Sequence, residues 1–244
     1  VHKYLSAFND IVWDYYNNGM LQIYNEGFIN LDKQFLTIGI NGFVEGAEFL
    51  GYRISPDDEN YKQYAIDILT TIKDLNKRDR QPHCKFNTEF VPAESLGVKN
   101  AKWDKQDGYW VPRDVYNSYF YIVEDTHTTP LEKFELMGKD FTGCLDGGSA
   151  LHMNLDEHLS KAQYEMLMKV AVKDGCNYFT FNIPNTVCND CGHISKQNLK
   201  ACPKCGSTNL DYLTRVIGYL KRVSNFSEAR QREAKRRYYA DNIQ

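Results

Sequence analysis

Two Cys-x-x-Cys pairs, Cys188/Cys191 and Cys202/Cys205, constrain this chain more tightly than any other feature in it. Each pair is a turn that aims two thiolates at one ion, and ten residues separate the pairs. Gly192 and Gly206 directly follow the second cysteine of each pair. Glycine there permits the tight turn, because it alone accepts positive φ without steric cost. Two such turns close a tetrahedral four-cysteine shell with no open position, the pattern of a structural rather than a catalytic metal. Thiolates in that geometry favour zinc, with iron the lesser alternative. His193 is then surplus and is read as a surface residue. Residues 185–212, which hold the cluster, have too few apolar side chains for a core of their own and need such a staple. Cys84, Cys144 and Cys176 are scattered and are read as small buried hydrophobes. This usage fits a reducing cytoplasm better than a disulfide framework.

A chain of 244 residues can bury a real core, as one large domain or as a domain plus a small module. The net charge of −3 argues against a general nucleic-acid binder. A zinc-ribbon nucleic-acid module is therefore a poor reading, although ribbons of this kind often do that work. No apolar run approaches the roughly 18 residues a membrane span needs. The start, Val1-His2-Lys3-Tyr4, is neither a signal peptide nor a methionine start, and suggests a chain cut from something longer.

Hydrophobic spacing supplies the elements. Tyr4, Phe8, Ile11, Val12, Tyr15 and Tyr16 recur at helical intervals, so residues 1–34 read as helix and turn. Phe35 to Ile40 reads as a buried strand. Tyr61 to Asn76 forms an amphipathic helix with Ala65, Ile68, Leu69, Ile72 and Leu75 on one face. Lys85 to Val91 alternates as a strand should. Residues 95–114 read as an irregular surface loop, 116–123 as a strand, and 142–154 as a strand broken by a turn. Ser160 with Gln163 forms a capping box that opens a helix packing Tyr164, Leu167, Met168, Ala171 and Val172. Gly175 closes that helix, and Asn177 to Ile183 is a further buried strand. Asn225 with Glu228 caps a last helix carrying Arg230, Arg232, Lys235, Arg236 and Arg237, read as a solvated basic face or a docking surface. Helices alternating with strands imply crossovers and a largely parallel sheet or barrel.

Behind the cysteines comes Thr214-Arg215-Val216-Ile217-Gly218-Tyr219-Leu220. None of its side chains is a nucleophile, an acid or a phosphate cradle. Gly218 stands alone between apolar neighbours, which allows a turn or a radical site: without a side chain its Cα can flatten and share an unpaired electron with the amide nitrogen and the carbonyl. The segment resembles the glycyl-radical loop of anaerobic (class III) ribonucleotide reductases. The resemblance runs on through Lys221 to Gln231 and back through both cysteine pairs. It extends to Asn177 through Asn185, to Gly39 through Glu45 and to Asn87 through Glu94, which look like barrel-strand segments of that family. It covers nearly all of this chain but only the C-terminal part of the family's usual length.

The resemblance implies an α/β fold, the C-terminal portion of a ten-stranded barrel with the radical loop threaded into it. Residues 1–184 would be the partial barrel, 185–212 the zinc module, and 213–244 the radical loop and C-terminal helix. It implies an anaerobic ribonucleoside-triphosphate reductase that supplies deoxyribonucleotides for DNA replication, with ATP binding among the family's features. A radical-SAM iron–sulfur activase, cleaving S-adenosylmethionine, would take a Cα hydrogen from Gly218. The radical would pass to a cysteine thiol, the thiyl would take the ribose 3′ hydrogen, and formate or a thiol system would restore the product. That cysteine normally lies in the first part of the barrel, and Cys84, Cys144 and Cys176 do not map onto it. Alone, the fragment would be inactive and would need an N-terminal half or second subunit, within a homodimer. Glu89 and Glu94 flank a strand end near the family's substrate pocket, Asn117 and Ser118 begin the next predicted strand, and Gly147-Gly148-Ser149 offers backbone N–H groups to a phosphate. A non-catalytic alternative is a glycyl-radical spare part that complements an oxygen-damaged enzyme.

Overall fold

The computed structural model describes residues 1–90, 95–215 and 219–240. In chain order its elements are α1 (His2–Asn17), α2 (Gln22–Asn25), β1 (Leu36–Gly39), α3 (Phe43–Phe49), α4 (Glu59–Arg78), β2 (Phe86–Glu89), α5 (Leu96–Gln106), α6 (Pro130–Leu136), α7 (Lys139–Thr142) and β3 (Leu151–Asn154). They continue with α8 (Lys161–Asp174), β4 (Phe179–Asn182), β5 (Asn185–Cys188), β6 (Ile194–Ser195), β7 (Leu210–Arg215), β8 (Leu220–Arg222) and α9 (Glu228–Arg236). Among the described residues, no helix is long and apolar enough to cross a membrane.

The strands form two kinds of sheet. β1 pairs with β2 and β3 with β4, both in parallel. Parallel neighbours need a crossover, and α3 with α4 supplies one while α8 supplies the other. A parallel bridge from Glu89 to Gly148 joins the two pairs into one wall. The second sheet is antiparallel, in the order β6-β5-β7-β8, and carries all four clustered cysteines on its strands and turns.

The core lies between the wall and its helices. α4 contributes Tyr61, Ala65 and Leu69; β3 contributes Leu151 and Met153; α8 contributes Leu167 and Ala171. Phe43, Phe90 and Phe120 pack edge to face, the arrangement aromatic quadrupoles favour. Both ends of α8 follow the sequence reading: Ser160 and Gln163 form the capping box, and Gly175 takes a left-handed φ of 73° at the C-terminus.

Several expectations are corrected. Residues 96–106 are helical rather than loop, packed so closely that a Cβ on Gly97 would lie 2.7 Å from the Tyr116 carbonyl. Residues 116–123 are buried but form no strand. Their backbone is satisfied largely by side chains instead: Asn41 Nδ2 donates to the Tyr116 and Asn117 carbonyls, Tyr61 Oη donates to the Phe120 carbonyl, and Glu45 accepts from the Asn117 amide. Of the barrel-like run Gly39 to Glu45, only Gly39 is in a strand; Gly42 at φ 78° starts α3. Within 142–154, Thr142 ends a helix and only 151–154 is strand. The Thr129–Glu132 capping box opens α6, an element that the sequence reading did not expect. On α8, Met168 and Val172 face solvent. On α1, Tyr4, Phe8, Ile11 and Tyr15 are likewise exposed, so the helical spacing is real but these side chains are not covered by the described residues. Ser227, not Asn225, sits at the start of α9, because Asn225 belongs to a preceding 3-10 turn.

Candidate functional site

The parallel wall has an apolar side and a polar side, because successive strand residues point to opposite faces. Leu151 and Met153 on β3 and Phe179 and Phe181 on β4 pack into the core. The alternate positions are His152, Asn154, Thr180 and Asn182, paired His152 with Thr180 and Asn154 with Asn182. On β2, Phe86 and Thr88 are buried, Thr88 against Asn76 of α4, while Asn87 and Glu89 take the other face. A wall with one polar face can take a polar ligand against it.

Four of the sequence-predicted site residues come together on that wall. Glu89, Gly147, Gly148 and Ser149 line one cleft of about 420 Å³ with Phe90, Ala150, Asn177 and Tyr178. The segment is fixed by Gly147 N–H donating to the Thr88 carbonyl at 2.8 Å and by Asp146 accepting from the Thr88 amide at 2.7 Å. Asn87 Oδ1 is buried close by with no partner among the described residues. Asn117 and Ser118 lie elsewhere, on a small enclosed cavity of about 30 Å³. Asn117 is a strut there: Nδ2 donates to Glu45 at 2.7 Å and Oδ1 accepts from the Val123 amide. Ser118 Oγ accepts from Asn41. Glu94 and Gly218 lie outside the described residues.

The candidate metal site is built by the antiparallel sheet. Cys188 ends β5 and pairs with Leu210 of β7; Cys191 follows in the turn toward β6. The four Sγ atoms all lie within 4.8 Å of one another, with Cys188–Cys205 and Cys191–Cys202 each at 3.6 Å. Sulfurs about 2.3 Å from a tetrahedral zinc would sit roughly 3.8 Å apart, so these thiols fit that ion. His193 contributes only its carbonyl, to the Cys188 amide. The centre is also tied to the next hairpin: Asn189, inside the first pair, accepts from Arg222 of β8 at 2.8 Å.

That hairpin carries the residues on either side of Gly218. Arg215 stands opposite Leu220, and residues 216–219 connect the two strands. Behind its stem lies a charged network that the sequence reading placed on a solvated face. Arg230, Glu233 and Arg237 are buried, and Arg237 forms a two-bond pair with Glu233 at 2.8 and 2.7 Å. Burial opposes the charge on Arg237, but the Glu233 carboxylate overrides it and raises the pKa; on Arg230 burial wins and lowers it. His152 borders the same cavity and is held near 4, first by burial and then by Arg215 and Arg237, so it is neutral at pH 7 and hydrogen-bonds the Tyr119 hydroxyl. Asn154, Asn182, Glu233 and Arg237 were missed as site residues. The signal for the asparagines was present: each sits two residues beyond a polar residue in a strand.

Of the remaining thiols, Cys176 and Cys144 pack with the helix-side core, and burial pushes Cys176 up to about 11. Cys84 is buried and accepts from Asn9. None of the three lines the cavities described above.

These features define an α/β protein whose parallel wall presents polar side chains and whose last hairpin is braced by a cluster of four thiols that could hold a metal ion. The family model for anaerobic ribonucleoside-triphosphate reductase matches residues 1–239, and the chain belongs to that family. Among solved structures, one titled anaerobic ribonucleotide reductase is 30% identical with a TM-score of 0.87, covering 99% of this chain and 40% of that one. The anaerobic ribonucleotide reductase from Thermotoga maritima, with glycerol in the active site, is 30% identical with a TM-score of 0.81, covering 95% and 38%. The same enzyme in complex with dATP and CTP is 29% identical with a TM-score of 0.80, covering 95% and 39%. The chain therefore spans about 40% of the length of the structures it resembles. Comparison with curated proteins gives no match.

Proposed function

We propose that this chain is the C-terminal, radical-bearing part of an oxygen-sensitive enzyme that reduces ribonucleoside triphosphates to deoxyribonucleotides. The observation that carries this reading is the bracing of the β7–β8 hairpin. It is joined to the four-thiol centre through the β5–β7 pairing and Arg222, and to the parallel wall through Asn182, which accepts from the Arg215 amide. Its connecting residues include Gly218. A side-chain-free position in the connection between two braced strands is what hydrogen-atom removal followed by controlled transfer requires.

In this reading Cys188, Cys191, Cys202 and Cys205 hold zinc in a structural role. An activase of the radical-SAM iron–sulfur class takes one hydrogen atom from the Gly218 Cα. The radical is stabilised by sharing between the amide nitrogen and the carbonyl. It is passed as a hydrogen-atom exchange to a cysteine of the complete enzyme outside this chain, since Cys84, Cys144 and Cys176 are packed elsewhere. Glu89, Gly148 and Ser149 line the cleft that takes the substrate, the Gly147 N–H being spent on the Thr88 carbonyl, and Glu94 lies nearby in sequence. Asn117 and Ser118 shape the neighbouring cavity. Formate or a thiol supplies the reducing equivalents, ATP is an expected effector, the complete enzyme is a homodimer, and the setting is cytoplasmic.

The test is anaerobic activation of the complete enzyme followed by electron paramagnetic resonance. A doublet that vanishes in Gly218→Ala is the expected result, and oxygen should then cut the backbone at Gly218. An enzyme that reduces substrate with no such signal removes the proposal. The spare-part reading predicts instead that this chain restores activity to an enzyme already cleaved at its own glycine.

A further inference from the structure

Arg215 is the last residue of β7 and the last described residue before Gly218. Its inner neighbour β5 begins at Asn185, opposite Leu213, so by Arg215 the strand has run two residues past its partner. A buried peptide group left without a partner is costly, and native structures almost always supply one. Here two side chains do so. Asn182 Oδ1 accepts the Arg215 N–H at 3.1 Å, and Arg237 Nη1 donates to the Arg215 carbonyl at 2.8 Å.

Each of these side chains is itself fixed. Asn182 Nδ2 donates to Asn154 Oδ1 at 2.7 Å, and its Oδ1 also accepts from Thr214 Oγ1 at 3.2 Å. Arg237 is locked by both carboxylate oxygens of Glu233. The segment that follows Arg237 is laid along β3, with the Ala240 amide donating to the Asn154 carbonyl at 3.0 Å. Tyr239 reaches Thr214 Oγ1 at 3.1 Å. The stem is thus gripped from the wall on one side and from the C-terminal tail on the other.

We propose that Asn182 and Arg237 are positioning residues for Gly218: by holding the amide and the carbonyl of Arg215 they fix the end of β7 from which the chain runs on, three residues later, to the glycine. This rests on the radical reading of Gly218 given above. It adds a division of labour, in which the four-thiol centre braces the hairpin from one side and the Asn182–Arg237 clamp holds the end of β7. Both residues act through the Arg215 backbone.

The experiment has two arms so that the clamp and the radical can fail separately. In this chain, hydrogen exchange of peptides covering Arg215 should quicken by about tenfold in Asn182→Ala and Arg237→Ala, the expected effect of losing one buried hydrogen bond. Asn182→Asp keeps the acceptor oxygen, and the Asn154 amide can turn to donate to it, so protection should stay. Added guanidinium should restore protection in Arg237→Ala, which separates loss of the clamp from general misfolding. In the complete activated enzyme the two alanine variants should lower the glycyl doublet by a similar factor and alter its splitting, while zinc content is unchanged. Guanidinium and Asn182→Asp should recover both. Unchanged exchange at Arg215, or a doublet of normal size and splitting once exchange has quickened, overturns the proposal. A wild-type enzyme with no doublet overturns the radical reading, while the exchange arm still decides whether the clamp exists.

Discussion

Lys133 on α6 places its ammonium over the Tyr238 ring, 5.2 Å from the ring centre, and on its other side 5.3 Å from the centre of Tyr121. Through Tyr238 this contact helps fasten the C-terminal tail, whose 238 amide donates to the Val123 carbonyl. Lys133 is 1% exposed, and burial pushes its pKa down to about 8 against the opposing pull of Asp125. The unfolded lysine titrates near 10.4. Between those two values the unfolded chain holds more protons than the folded one, so stability should rise with pH through that window. The rise from this group would reach at most ~3 kcal/mol, less whatever the two rings return by holding the cation. Lys133→Met should therefore flatten the alkaline limb of a urea-midpoint profile and cost little at neutral pH. Parallel profiles for the two proteins would remove this account.

The four-thiol centre should be separable from the main core. Among the described residues, the strands of the antiparallel sheet contribute none to the main apolar cluster. Its turns are instead held by local bonds such as Ser207 to Asp190 and Asn209 to Asp190. Chelation should therefore melt residues 185–215 while leaving α4, β2, β3 and α8 protected from exchange. Cys202→Ser should abolish zinc retention by elemental analysis. Global unfolding on chelation would show that the two parts are one cooperative unit.

The sequence made some of this legible and hid the rest, for physical reasons. The cysteine spacing, the α8 caps and the β1, β2 and β4 segments depend on local geometry, and each reads correctly from a few neighbouring residues. Residues 116–123 carry strand-like composition, yet their hydrogen-bond partners are Asn41, Glu45 and Tyr61, far away in sequence. No local pattern encodes that. In the basic run after Ser227, Arg232, Lys235 and Arg236 are exposed as read, but Arg230 and Arg237 are buried, because a count of positive charges cannot show that Glu233 lies one turn before Arg237 on a buried face. The exposed apolar side of α1 shows the converse: periodicity reveals that a face is apolar but not what covers it. The polar side of the wall was the most readable missed feature, since alternation alone places Asn154 with His152 and Asn182 with Thr180.

Gly147 is a glycine for a steric reason. A Cβ there would lie 2.9 Å from both Asn87 Nδ2 and the Thr88 carbonyl, and 3.0 Å from Glu89 Cβ. The backbone oxygen cannot swing aside, so Gly147→Ala should push the 147–149 segment off β2. The expected cost is about 1–3 kcal/mol, in the range of overpacking a tight site. The cleft containing Glu89 and Ser149 should widen with it. In the complete enzyme this predicts weaker substrate binding with the glycyl signal intact. Gly148→Ala differs in kind: its φ of 95° strains any side chain, but the space beside it is open. A loss of stability with unaltered substrate affinity in Gly147→Ala would dissociate this turn from the substrate cleft.

Arg113 and Glu45 bring the last prediction. Arg113 Nη1 donates to Glu45 at 2.9 Å and to Glu48 at 2.6 Å, and its Nη2 reaches Glu48 at 2.9 Å. Glu45 is 4% exposed and also accepts the amide and side chain of Asn117, so the pair supports the irregular 116–123 segment. Its second oxygen, Oε2, is buried without a protein partner, and burial raises the carboxyl pKa despite the pull of Arg113. Removing the cation should be far worse than neutralising the acid. Arg113→Ala leaves a buried carboxylate unpaired and should cost about 3–5 kcal/mol, the range for breaking a buried ion pair from one side. Glu45→Gln keeps an acceptor for Asn117, leaves Arg113 its two bonds to Glu48, and can donate through the amide that replaces Oε2. It should cost clearly less, by denaturant unfolding at neutral pH. The order should narrow as the pH falls toward the carboxyl's raised pKa, because protonation of Glu45 relieves the charge that Arg113→Ala strands there. If the two variants are equally destabilised at neutral pH, the charge on Glu45 is not what Arg113 is there to balance.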